Sequence, residues 1–243
     1  MIAIFNGISV GRPCIPMEAG ESIVTDGLIF RVDAGDEASY GGTGTTWTDV
    51  INGNNGTINN GASYNSAQGG YFEFDGVDDQ VDFGQPAILE TYPASIDIWF
   101  YSSNDQDGII TKGLTRGNTT TRDWDIFGAG GPATLRYLVS TGSSIAVVIG
   151  AAYPSLNNWH HLSVSWDGTT GTNGAKMYLD GALFAQNAGA SASFSTAHNI
   201  FAGGSRTGYY LDGRISMIKM YDKVLSAAEA LQNYEASKAR YGL

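Results

Sequence analysis

Residues 95–102 read SIDIWFYS, and their alternation decides the fold. Successive side chains on an extended strand point to opposite faces, so Ile96, Ile98 and Phe100 share one face and Asp97, Trp99 and Tyr101 the other. A strand with one wholly apolar face needs a second layer to cover it, and the flanking sequence supplies strands rather than helices.

Upstream, GLIFRVDAG (27–35) sets Leu28, Phe30 and Val32 against Ile29 and Arg31. YFEFDGVDDQVDFG (71–84) reads as a hairpin turning at Asp75-Gly76. Downstream, DGIITKG, DWDIFGAG, TLRYLVST and SIAVVIGAA are short strands divided by turn residues. WHHLSVSWDG (159–168) and AKMYLDGALFAQ (175–186) form the clearest hairpin, with a further turn at Asp180-Gly181. HNIFAGGS and GRISMIKMYDK complete the set. The chain holds 33 glycines, roughly twice the usual ~7%, and without a G-X-Y period they read as turns.

The one helix comes last. Ser226 caps it and Glu229, three residues on, returns the hydrogen bond. Leu225, Ala228, Leu231 and Tyr234 keep helical spacing, with Lys238 and Arg240 near the end and Gly242 as a stop. A dozen or so short antiparallel strands and one short C-terminal helix make an all-β jelly-roll sandwich over residues 26–243. Residues 1–25 precede it as an arm that Pro13 and Pro16 stiffen, with Ile2, Ile4, Phe5 and Ile8 suited to docking on a partner.

Of the 243 residues 42% are apolar and 15% charged, which excludes general disorder. A net charge of −11 with no basic patch excludes nucleic acid as the expected partner and permits cation binding without requiring it. The lone Cys14 forms no internal disulfide and reads as an inert thiol. MIAIFNGISVGRP lacks the basic start and apolar length of a signal peptide, and no apolar run is long enough to cross a bilayer. The expectation is a chain made in the host cytoplasm and left soluble, with no membrane insertion. Its oligomeric state is left open.

Taken in order, GLIFRVDAG, GTTWTDVINGNNGTINNGASY, YFEFDGVDDQVDFG, SIDIWF, NNWHHLSVSWDG, KMYLDGALF and the stretch from FAGGSRTGYYLDG to the C-terminus resemble laminin-G-like members of the concanavalin A-like lectin/glucanase superfamily. The pattern around VDAG, SY and GTTWTD and the ending YDKVLSAAEALQNYEASKARYGL are also similar to modules in virion proteins of tailed phages, especially marine cyanophages. That likeness implies a non-catalytic structural protein of the virion, either a capsid decoration or a tail-fibre component. Its arm would bind other virion proteins and its domain could hold a host-surface glycan. The alternative is a free lectin-like protein.

SIDIWF also resembles the EIDIEF strand of laminarinase-type glycoside hydrolases, whose acids stand at the first, third and fifth positions. Here those positions hold Ser95, Asp97 and Trp99. Retaining hydrolysis needs two carboxyl groups about 5 to 5.5 Å apart, and one carboxylate cannot serve as both, so the sequence speaks against an enzyme. Asp97, Trp99 and Tyr101 could instead bind a glycan from an open sheet face, by stacking and by accepting hydroxyl protons. Packing is the competing reading. Arg206, with Tyr209 and Tyr210, is a further candidate for a ligand rim.

Asp75, Asp78, Asp79 and Asp82 cluster at the predicted 71–84 turn; the first three are the candidate calcium ligands, although DGVDD lacks the spacing of a strong calcium loop. His160 and His161 face opposite ways on a strand and His198 is distant, which argues against zinc. Ser, His and Asp occur without a G-x-S-x-G elbow, so the sequence offers no hydrolase triad. GAGG (128–131) lacks the Gly-Lys-Ser/Thr of a phosphate loop.

Overall fold

A computed structural model describes residues 22–87, 94–113, 122–140, 145–169, 171–189, 198–205 and 209–243. Its strands are β1 (Leu28–Asp33), β2 (Thr46–Trp47), β3 (Gly56–Asn59), β4 (Ser63–Asn65), β5 (Tyr71–Asp75), β6 (Gln80–Asp82), β7 (Ser95–Ser102), β8 (Gly108–Gly113) and β9 (Arg122–Ala129). They continue with β10 (Thr134–Ser140), β11 (Ile145–Ala152), β12 (Trp159–Trp166), β13 (Ala175–Leu179), β14 (Ala182–Asn187), β15 (Ile200–Ala202), β16 (Gly204–Ser205), β17 (Tyr209–Tyr210) and β18 (Asp212–Tyr221). One helix, α1 (Ala227–Glu235), is followed by a 3-10 turn at Lys238–Tyr241.

Two antiparallel sheets face each other, as the alternation predicts. The first runs β14-β13-β12-β7-β18-β5-β4, and the second β11-β10-β9-β8-β15-β6-β3-β2. The long β18 follows β7 along one side; its other side pairs first with β5 and then with β1. The core lies between the sheets. Phe30, Val32, Ile96, Ile98, Phe100, Leu162, Val164 and Trp166 come from the first sheet. Val81, Phe83, Trp124, Ile126, Leu135, Tyr137 and Val139 meet them from the second.

Three expectations need correcting. Residues 71–84 are not a hairpin: among the described residues β5 pairs with β4 and β18, while β6 pairs with β3 and β15 in the other sheet. Alternation fits a strand equally well in either sheet, so it cannot tell a hairpin from a crossing. The helix begins at Ser226 with its reciprocal capping box, as predicted, but it buries Ala230 and Asn233 and leaves Leu231 exposed. Its inward side is partly polar because the sheet face beneath it is polar. Residues 22–25, assigned to the arm, are held by the domain itself. Val24 N donates to Asn233 Oδ1 (2.9 Å) and Val24 O accepts from Tyr221 Oη (3.2 Å). Cys14 and the apolar residues of the arm lie outside the described residues.

Candidate functional site

Three residues of the SIDIWF frame are fixed by the domain's own C-terminal segment. The Ser95 hydroxyl donates to the Lys223 carbonyl (2.9 Å) and accepts from Leu225 N (2.9 Å). Asp97 Oδ1 lies 2.9 Å from His161 Nε2 and 2.8 Å from Lys219 Nζ, while Oδ2 accepts from Asn233 Nδ2 (3.1 Å). The side chains of Asp97, His161 and Lys219 are at most 1% exposed. Burial alone would raise the Asp97 carboxyl, but His161 and then Lys219 outweigh it and hold the group well below the usual carboxylate range.

Trp99 stacks on Tyr241 with ring centres 4.0 Å apart, lies 5.9 Å from Tyr234, and donates its indole N–H to Ser237 Oγ (2.8 Å). The face bearing Asp97 and Trp99 is therefore covered, and neither can meet a glycan. Alternation places these residues on one face correctly but says nothing of what lies on top of it. Only Tyr101 reaches solvent, beneath the Arg214 guanidinium 4.5 Å from its ring centre. Arg206 lies outside the described residues; nearby, Tyr209 is exposed.

The rim where the chain crosses between sheets is open. There one carboxylate oxygen from each of Asp75, Asp78 and Asp79 lies within 4.8 Å of the others. Asp75 and Asp78 are exposed and Asp79 is 4% exposed. Asp79 Oδ2 accepts from Asp75 N (3.0 Å), whereas Oδ1 is buried with no hydrogen-bond partner among the described residues. The adjoining turn leaves room beside that oxygen. Asn60, at φ 66°, donates from Nδ2 to the Asp78 carbonyl (2.8 Å), and a Cβ on Gly61 (φ 131°) would come within 3.1 Å of Asp79 Oδ1.

Burial raises the Asp79 carboxyl, and the charges of Asp75 and Asp78 raise it further, against a hydrogen bond from the Asp75 backbone. Hard oxygen donors and concentrated negative charge suit calcium, which takes roughly six to eight oxygens, so water or ligand hydroxyls would complete the shell. Asp82 is not part of this group, since its carboxylate accepts from Gly84 N and Asn199 Nδ2.

A second ionic group lies on β9 and its neighbours. Asp123 and Asp125 stand on the face of β9 opposite core residues Trp124 and Ile126, and both are 1% exposed. Lys112 Nζ lies 3.4 Å from Asp123 Oδ2, and His198 Nδ1 lies 3.5 Å from Oδ1. The D-W-D alternation was the available signal. Like Asp97, these acids are enclosed.

Comparison with known proteins agrees with the topology. A family model described as concanavalin A-like lectin/glucanases superfamily matches residues 75–230. No curated protein matches. Among solved structures, the chain resembles Trypanosoma rangeli sialidase in complex with sialic acid (TM-score 0.64, 13% identity), covering 96% of this chain and 36% of the sialidase chain. It also resembles domain 4 of AbnA, a GH43 extracellular arabinanase from Geobacillus stearothermophilus, in complex with arabinotriose (0.61, 14%; 85% of this chain, 98% of the other). The botulinum neurotoxin type G receptor binding domain is similar at TM-score 0.60 and 16% identity, over 86% of this chain and 51% of that one. This chain thus spans about a third of the sialidase chain and half of the toxin domain chain. At these identities the likeness is one of fold.

Proposed function

The chain belongs to the concanavalin A-like lectin/glucanases superfamily, and from that premise we propose that it binds glycans without cleaving them, as a component of a tailed-phage particle. The state of the SIDIWF strand carries the first half of this reading. Its first and fifth positions hold Ser95, which ties down the backbone at Lys223 and Leu225, and Trp99, which packs under Tyr241. The remaining carboxylate, Asp97, is enclosed by His161, Lys219 and Asn233. A retaining glycosidase needs two accessible carboxyl groups about 5 to 5.5 Å apart, and this strand offers one, sealed.

Glycan contact is proposed at the rim. A calcium ion held by Asp75, Asp78 and Asp79 would take sugar hydroxyls as further ligands, and these three carboxylates are the residues that would hold it. An oligosaccharide is supported as the ligand class by the arabinotriose bound to the arabinanase domain. The particle assignment, as capsid decoration or fibre, rests on the sequence likeness at the two ends of the domain. It gives the weak single-site binding expected of such a rim a route to avidity through many copies.

A glycan array probed with and without calcium tests the binding, and mass spectrometry of purified particles tests the location. Calcium-dependent capture of a defined set of oligosaccharides is expected. Capture of none in either condition overturns the glycan reading, and absence of the chain from particles overturns the virion reading.

A further inference from the structure

Ser155, His160 and Asp180 come together in an order that the proposed glycan binding does not use. Ser155 Oγ lies 3.0 Å from His160 Nε2, and His160 Nδ1 lies 2.8 Å from Asp180 Oδ2. Asp180 follows the last residue of β13 in the turn to β14, with φ 49°, and its other oxygen accepts from His161 N (2.8 Å). The carboxylate is therefore anchored at one end and aims the imidazole with the other. The ring also packs beside Phe100, with centres 6.1 Å apart. Ser155 is exposed while His160 is 12% exposed, so the hydroxyl is accessible and the ring is held.

The hydrogen-bond roles follow from what each group can do. A carboxylate only accepts, so Nδ1 carries the proton that bonds Asp180, and in the neutral ring Nε2 is left with a lone pair facing Ser155 Oγ. Asn158 Nδ2 donates to the same Oγ (3.3 Å) and to the Leu156 carbonyl (2.9 Å). Oγ accepts there and keeps its own proton to donate to Nε2. The Ser155 carbonyl lies 3.1 Å from Nε2 and can accept from it once the ring is protonated. A nucleophile, a base and a group that orients the base thus stand within hydrogen-bond reach, without the strand-to-helix elbow that a sequence motif would detect.

We propose that Ser155 is an acyl-accepting nucleophile, activated by His160 and positioned through Asp180, that acts on small carboxylic esters presented at the surface. Ser155 Oγ forms a bond to the ester carbonyl carbon as His160 Nε2 takes the hydroxyl proton. The acyl C–O bond then breaks, and the alcohol leaves with that proton. Water repeats the two steps on the acyl-serine, which releases the carboxylic acid and restores the hydroxyl. The Asn158 Nδ2–H now bonded to Oγ is released as that oxygen turns to the ester carbon, and can then donate to the oxyanion.

The test is labelling of the full chain with a fluorophosphonate, read by intact and peptide mass spectrometry, with 4-nitrophenyl acetate as the turnover probe. One adduct on Ser155 is expected, absent in Ser155→Ala and formed at least about 10²-fold more slowly in His160→Gln. Asp180→Asn should change the shape of the rate–pH profile as well as its height, which a purely structural role would not do. Thermal midpoints and calcium-dependent glycan capture are measured on the same variants, so misfolding, or failure of the glycan reading, is distinguishable from failure here. An unlabelled Ser155, or equal labelling rates in wild type and a folded His160→Gln, overturns the proposal.

Discussion

Lys219 Nζ stands 2.8 Å from Asp97 Oδ1, and neither side chain has any exposed surface. The two residues are register partners on β18 and β7, so the pair lies on the outer face of the first sheet, under α1. Its net stabilisation is small because desolvation offsets attraction, but removing one partner strands the other. Asp97→Ala is expected to cost about 3–5 kcal/mol by urea denaturation. Lys219→Met should cost clearly less, since Asp97 keeps His161 Nε2 and Asn233 Nδ2. Equal losses would mean that the lysine, not the carboxylate, organises the cluster.

Acid stability follows from the same carboxylate and from Glu229. Both are lower in the folded protein than in the unfolded chain: Asp97 through His161 and Lys219 against its burial, and Glu229, at about 2, through Lys223 and then the Ser226 backbone. Their contribution is fully present above the unfolded values, roughly 3.9 and 4.3, and is lost as pH falls through the lower folded values. The contribution of these two groups should be level from neutrality to about pH 5 and fall steeply below about pH 4. Glu229→Gln should make the decline shallower, and Ser226→Ala should cost about 1 kcal/mol at neutral pH through the lost cap. A decline unchanged in Glu229→Gln would show that this carboxylate has no part in it.

The sandwich and the helix cap were legible because they depend on short-range pattern: alternation at β7 and β12, and Ser226 with Glu229 three residues on. The cover over β7 was not. It joins Asp97 to Asn233 and Trp99 to Ser237, more than a hundred residues away, and no local period encodes that distance. A trace did exist, since Lys219 interrupts the apolar run of SMIKMY and His161 shares the Asp97 face across β12. The acids at 75, 78 and 79 lie close together, as their spacing suggests. The strand crossing that holds them at the rim was invisible, because β5 and β6 look alike in sequence whichever sheet they join.

Tyr241 closes the aromatic cover, with its ring against both Trp99 and Trp159 at 4.0 and 4.8 Å. Tyr241→Ala removes a buried ring whose neighbours are fixed by strands, and should cost about 3 kcal/mol. The loss would register as a lower thermal midpoint and a changed near-ultraviolet signal from the tryptophans. The uncovered strand should still show no glycosidase activity, because Ser95 and Trp99 supply no acid. Glycosidase activity appearing in this variant would overturn the reading that glycans are bound without being cleaved.

Asp79 separates a metal site from a merely acidic turn. Its folded carboxyl is raised, by burial first and then by the charges of Asp75 and Asp78, so its ionised form costs stability above the unfolded value. Without a cation the protein should therefore gain stability as pH falls through the raised value toward the unfolded one, and Asp79→Asn should be no less stable than wild type at neutral pH. Calcium reverses the balance by binding the ionised form. At a hundred times its dissociation constant it should add about 2.7 kcal/mol, seen as a higher thermal midpoint that shrinks as the medium is acidified. In Asp79→Asn that increment should vanish, while the amide can still accept from Asp75 N. An increment of equal size in wild type and variant would place any bound calcium elsewhere and leave Asp75, Asp78 and Asp79 as a solvated turn.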